Sequence, residues 1–258
     1  MSRAAANWTG LVTIVRREMR RVLRIWPQTL LPPVITMTLY FIIFGALIGR
    51  RIGEMGGYDY MQYIAPGLII MAVLTNSYAN VSSSFFGAKF GKFIEELLVS
   101  PMPNSLILLG YVAGGVLRGT LIGALVTVVA MFFTPLTVAN PLLMILVVVL
   151  TAVVFALGGF INGVYANKFD DISIVPTFVL APLTYLGGVF YTVDLLPDIA
   201  RQLSLANPIL YMVNAFRYAM LGVSDVHIGV ALSMTVGFLV FLFALAMWLL
   251  NKGYGLRS

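Results

Sequence analysis

Arg118 stands in the middle of an apolar stretch that carries no other charged residue. A guanidinium placed in hydrocarbon costs about 2.5–3.5 kcal/mol on insertion scales, so it must face a polar cavity, another helix or backbone carbonyls. It could hold an anionic headgroup or gate a path; a structural hydrogen bond to another span would serve its donors equally well. Asn76, Asn80, Ser83 and Ser84 follow at i, i+4, i+7 and i+8. This polar stripe has to turn from lipid, towards a neighbouring helix or a hydrated path, and interhelical bonding is the first expectation. Gly115, Gly119 and Gly123, preceded by Gly110 and Gly114, form a ladder beside Arg118. Such ladders let helices approach closely, so packing is expected of it rather than ligand binding.

Other chemistry fails on residue type. His227 is the single histidine and there is no cysteine, which excludes a histidine-rich metal site, thiolate ligands and a Ser-His-Asp triad. Asp170-Asp171 lacks a second acidic cluster, so helix capping or a partner contact suits it better than metal binding. Gly87 to Lys92 is one residue short of a phosphate loop and has Phe93 where Ser or Thr is needed. All ten acidic residues lie outside the apolar stretches, so the intramembrane carboxylate that proton-driven carriers use is not expected. Neither a nucleotide site nor a proton relay is encoded here.

The elements that must position these residues follow from composition. Of 258 residues 60% are apolar and 10% charged, with a mean hydropathy of +0.97. A bilayer core takes roughly 20 apolar helical residues to cross, and six stretches qualify: about 28–49, 62–84, 105–133, 141–166, 174–193 and 229–250. Unbroken runs such as Leu142 to Leu150 show no period-two alternation, so these are helices and not barrel strands. With the N-terminus inside, eleven of the sixteen lysines and arginines, Arg257 among them, flank the inner ends. Only Arg50, Arg51, Arg201 and Arg217 fall outside, which places both termini in the cytoplasm. The net charge of +6 therefore reads as topology, not nucleic-acid binding. The first 26 residues carry six arginines and no separate short apolar core, so a cleavable signal peptide is not expected.

Residues 8–26 predict an amphipathic helix. Trp8, Leu11, Val12, Val15, Met19, Val22, Leu23 and Trp26 share one arc, and Arg16, Arg17, Arg20, Arg21 and Arg24 another. That suits a helix in the inner headgroup layer. Residues 89–101 repeat the pattern in short form: Phe90, Phe93, Ile94, Leu97 and Leu98 oppose Lys89, Lys92, Glu95 and Glu96, and Pro101 and Pro103 stop the helix. Between Thr192 and Val226 the apolar spacing predicts two short helices split at Asn207-Pro208, capping the outer face. Pro176, Pro182 and Gly187-Gly188 make the fifth span the one expected to break.

The run Glu95 to Pro101, the segment Phe169 to Ser173, the stretch Pro182 to Tyr191, Leu196-Pro197, Asn207-Pro208 and Arg217 together resemble the type-2 ABC transporter permeases. These are six-span subunits of bacterial exporters, and the resemblance is nearest the branch containing nodulation-factor export permeases. It covers nearly the whole chain. It implies a single all-α membrane domain: an N-terminal interfacial helix, a cytoplasmic coupling helix over 89–101, and outer re-entrant helices over about 195–221 that include Pro197, Pro208 and Arg217. It also implies a permease homodimer in the bacterial inner membrane, paired with two ATPase subunits that bind ATP and Mg, while this chain holds no cofactor. Phe93, Glu95, Glu96, Leu97, Leu98 and Pro101 would then dock the ATPase. Asn76, Asn80, Ser83 and Arg118 would lie along the substrate path or its gate. The alternatives are an ATP-independent secondary transporter or channel, and a membrane-embedded lipid-modifying enzyme.

Overall fold

The computed structural model describes residues 2–255; Arg257 lies outside them. Helix α1 (Arg3–Arg24) is capped by Ser2, whose side chain accepts the Ala5 N–H. After a break at Ile25 comes α2 (Trp26–Tyr40), with Pro27 in its first turn, where the missing N–H costs nothing. The helix continues through Phe41–Ile48, where the hydrogen bonding widens to the π pattern, and ends with the turn Gly49–Ile52. A hairpin of β1 (Glu54–Met55) and β2 (Tyr58–Asp59) then reverses the chain over Gly56-Gly57, both at positive φ. The sequence reading did not foresee this hairpin.

Four long helices follow the hairpin. Helix α3 (Tyr60–Phe90) occupies the centre, packed against α5 (Asn104–Met131) and α6 (Pro141–Tyr165). Short α4 (Phe93–Val99) joins α3 to α5, and α10 (Ile228–Lys252) closes the bundle on α6. The fifth apolar segment begins as α7 (Asp171–Val175), widens over Pro176–Leu180 and ends with Ala181–Tyr185. It stops there because Gly187 and Gly188 follow, the latter at φ +68°. Two short helices, α8 (Asp198–Leu205) and α9 (Pro208–Leu221), split at Asn207-Pro208 as the spacing predicts. Among the described residues five helices are long and apolar enough to cross a bilayer, one fewer than the six spans expected, because the broken fifth segment is shorter.

Two buried clusters hold the bundle. One, around Phe41, Tyr63, Leu68 and Phe216, lies at the hairpin end; the other, around Ile14, Phe85, Tyr111 and Phe160, lies at the end carrying α1 and α4. Lipid is as apolar as leucine, so burial alone does not draw such helices together, and close contact does more. The glycine ladder divides its work accordingly. A Cβ on Gly110 or Gly114 would press on Ile14 or Glu18 of α1, and one on Gly115 or Gly119 would enter α3 at Val81 or Ser77. Packing is its role, as expected.

Candidate functional site

The connection between α3 and α5 is tighter than one continuous amphipathic helix over 89–101. Lys89 and Phe90 belong to α3, Gly91 ends it, and Lys92 takes the left-handed conformation (φ 60°) that lets the chain restart as α4. Ile94 is buried, and Leu97 and Leu98 rest half-buried on the bundle. Phe93, Glu95, Glu96 and Val99 project outward, with Phe93 60% and Val99 86% exposed. Pro101 follows at the exposed exit. Phe90 and Phe169 meet edge to face at 5.0 Å beside them, both exposed. Lys89 Nζ donates to the Val164 and Ala166 carbonyls at 2.6 and 2.8 Å and so ties the ends of α3 and α6 beneath this surface. Asp171 folds the neighbouring loop: its Oδ2 accepts the Asn167 and Lys168 N–H groups at 2.8 and 3.0 Å.

Helix α1 meets the bundle with a face other than the apolar arc read from the sequence. Ile14, Glu18 and Val22, four residues apart, are its buried residues. Trp8, Met19, Leu23 and Trp26 of the expected arc are exposed. Glu18 is 1% exposed: its Oε1 accepts from Ser84 Oγ at 2.6 Å and from Arg17 at 3.3 Å, and its Oε2 accepts from Arg21 at 3.3 Å. Arg21 also donates to the side-chain and main-chain oxygens of Asn80, at 2.7 and 2.9 Å, and Arg17 donates to the Tyr111 hydroxyl at 2.8 Å. The sequence reading passed over Glu18; its place between Ile14 and Val22 was the available signal.

The polar residues of α3 therefore divide. Asn80 and Ser84 are buried towards α1, and Asn76 is buried with its Oδ1 3.4 Å from Arg118 Nη2. Arg118 itself is half-buried in α5. Ser83 is exposed, donating to the Ala79 carbonyl at 2.7 Å and reached by Arg21 at 3.4 Å. The side of α3 left open is the strip Met71, Thr75, Ala79, Ser83 and Gly87, at i+4 spacing. Its upper part faces a cavity of about 260 Å³ shared with Tyr40 of α2 and with Pro176, Thr184 and Tyr185 of the broken helix. The Tyr40 and Tyr185 hydroxyls lie 3.4 Å apart at its edge.

At the hairpin end Arg217, assigned from sequence to an outer re-entrant helix, is fully buried in α9. It donates to the Gly188 carbonyl, stacks 4.0 Å over the Tyr63 ring, and lies 3.8 Å from Asp225. Asn207 starts α9 by accepting the Ile209 N–H and anchors it by donating to the Leu183 carbonyl at 2.6 Å; Pro208 occupies the first turn. Pro197 stands in extended conformation just ahead of α8, its carbonyl accepting the Arg201 N–H at 2.9 Å. Among the described residues no three of His, Asp or Glu converge as metal ligands would.

Long apolar helices packed around a central α3, with an exposed short helix at one end, define a polytopic membrane protein. The sequence matches the ABC-2 type transporter family over residues 9–221, and the chain belongs to that family as a membrane permease. It is 57% identical over 251 residues to the inner membrane transport permease YadH of Escherichia coli (strain K12), covering 97% of this chain and 98% of that one. It is 28% identical over 196 residues to nodulation protein J of Rhizobium leguminosarum bv. trifolii, covering 74% and 75%. Nodulation protein J of Rhizobium meliloti (strain 1021) is 23% identical over 248 residues, covering 96% and 95%.

Proposed function

We propose that two copies of this permease form, with two separate ATPase subunits, an ATP-driven exporter in the bacterial inner membrane. The carrying observation is the outward face of α4, where Phe93 and Val99 stand exposed beside Glu95 and Glu96. Apolar groups rimmed by charge suit a protein partner better than lipid. Ile94, Leu97 and Leu98 press the same helix onto the bundle, so a push on α4 passes into α3 and α5. Orientation with α1, α4 and both termini in the cytoplasm follows from the cation bias and puts α4 where ATP is.

The cargo we assign is amphipathic: a lipid-like, glycolipid or drug-like molecule leaving the cytoplasm or the inner leaflet. It passes along the open strip of α3 through Thr75 and Ser83, between two permeases related by two-fold symmetry. Asn76, Asn80 and Arg118 stand behind that strip and hold its helix in place. Reversing both charges, Glu95→Lys with Glu96→Lys, tests the coupling. The doubly reversed permease should still assemble, yet lose at least tenfold in cargo-stimulated ATP hydrolysis by the complex, the worth of about 1.4 kcal/mol of coupling. Unchanged stimulation, or uphill transport by the purified permease alone, would refute the reading.

A further inference from the structure

Helix α1 runs beside α5 in register, Ile14 against Gly110 and Glu18 against Gly114. One turn further the two helices part and leave a groove of about 380 Å³, within the range of small-ligand sites. Its walls are Met19, Val22 and Leu23 of α1 and Leu117 and Leu121 of α5, and Arg118 supplies the polar group. That guanidinium is poorly answered by protein: a single 3.4 Å contact to Asn76, and an Nε without a partner among the described residues. The charged side chain that acts on it is a second cation, Arg21, while Glu18, the one carboxylate of α1, is committed to Arg17, Arg21 and Ser84. An arginine so placed has donors to spare, and an anion from outside the chain answers both those donors and the charge.

We propose that the groove holds one anionic phospholipid, its phosphate on Arg118 and the start of an acyl chain along Leu117 and Leu121. Arginine meets phosphate with paired, charge-assisted hydrogen bonds, and basic pockets between membrane helices recognise headgroups in this way. The apolar walls select a lipid over a soluble anion. Exposed Arg20 and Arg24 on the outward side of α1 keep the headgroup layer at this depth, because neither can rest in hydrocarbon. This groove lies on the α1–α5 side, away from the open strip of α3, so it is a fixed lipid site and not part of the cargo path.

Native mass spectrometry of the full chain, purified in mild detergent with equal phosphatidylglycerol and phosphatidylcholine, tests this. The wild type should retain phosphatidylglycerol selectively, and millimolar inorganic phosphate should not displace it. Arg118→Leu should lower that retention about tenfold, the worth of one charge-assisted hydrogen bond, while Arg118→Lys keeps most of it. Arg51→Gln, exposed at the hairpin end, should leave retention unchanged. Equal retention by Arg118→Leu, equal retention of phosphatidylcholine, or displacement by free phosphate would each overturn the proposal. Should Arg118→Leu fail to fold, Leu117→Trp fills the groove and spares the guanidinium; lipid loss at an unchanged melting temperature supports the site, and undiminished lipid overturns it.

Discussion

Ser84 of α3 donates a 2.6 Å hydrogen bond to Glu18 of α1, residues 66 positions apart, and both are buried. The carboxylate also draws Arg17 and Arg21 inward, so the helix at the start of the chain is fastened to the central helix by charge. Charge supplies that fastening where apolar contact in lipid confers little grip.

Glu18→Leu removes the shared acceptor and strands Ser84 and the buried side of Arg21. A loss of about 3–5 kcal/mol is expected, as for one partner removed from a buried ion pair. Glu18→Gln keeps an oxygen for Ser84 but forfeits both ion pairs, and should cost about 1–3 kcal/mol. Thermal unfolding of the purified permease measures both. Wild-type melting of Glu18→Gln would show that the charge is not what holds α1.

Gly159 of α6 and Gly237 of α10 predict opposite responses to the same substitution. A Cβ on Gly159 would run into the Tyr78 carbonyl oxygen of α3, whereas one on Gly237 meets nothing within 4 Å. Gly159→Ala should destabilise by about 1–3 kcal/mol, as overpacking does. Gly237→Ala should be neutral or gain up to about 1 kcal/mol from helix propensity. Melting temperatures of the two variants against wild type decide it.

Much of this architecture is legible in the residues. Long apolar runs mark the helices, the spacing of Phe93, Ile94, Leu97 and Leu98 marks α4, and Asn207-Pro208 marks the start of α9 by its cap chemistry. What periodicity cannot tell is which apolar side meets protein and which meets lipid, since both are equally apolar solvents. Trp8, Met19, Leu23 and Trp26 face outward, as suits a helix in the headgroup layer, while the bundle-facing line of Ile14, Glu18 and Val22 gave no such signal. Asn76 and Asn80 meet Arg118 and Arg21 of neighbouring helices, the interhelical bonding expected of them, while Thr75, Ala79 and Ser83 stay on the open side of α3. Arg217 was placed in an outer re-entrant helix, but its burial was not legible because Tyr63 and Gly188 are far from it in sequence.

Asp171 carries a pH dependence. The N–H groups of Asn167 and Lys168 bind its ionised form and hold its pKa below the usual carboxylate range. A depressed pKa means stability that is full above the unfolded value of about 3.9 and is lost as pH falls through the folded one. Hydrogen-exchange protection at Asn167 and Lys168, measured against the intrinsic rate at each pH, should therefore be high at pH 7 and fall when the carboxyl is protonated. Asp171→Asn should lower it at neutral pH already; identical protection in wild type and variant at pH 7 would refute this role for the carboxylate.

Arg217 makes the severest prediction, because it is fully buried with partners from three parts of the chain. Its guanidinium donates to Gly188, just past the broken helix, and to the Tyr63 carbonyl at 3.4 Å, and it covers the Tyr63 ring. Asp225 lies at ion-pair distance and accepts from the Tyr63 hydroxyl at 3.3 Å and the Val193 N–H at 3.2 Å. Arg217→Met leaves a buried carboxylate and two carbonyls unanswered, and should cost about 3–5 kcal/mol. Asp225→Asn keeps an acceptor for Val193 and should cost less, about 1–3 kcal/mol. The double variant removes both charges, so its loss should fall short of the sum by about 0.5–3 kcal/mol. Strictly additive losses in thermal unfolding would mean that the two charges do not act on each other, and that Arg217 is held by carbonyls and the ring alone.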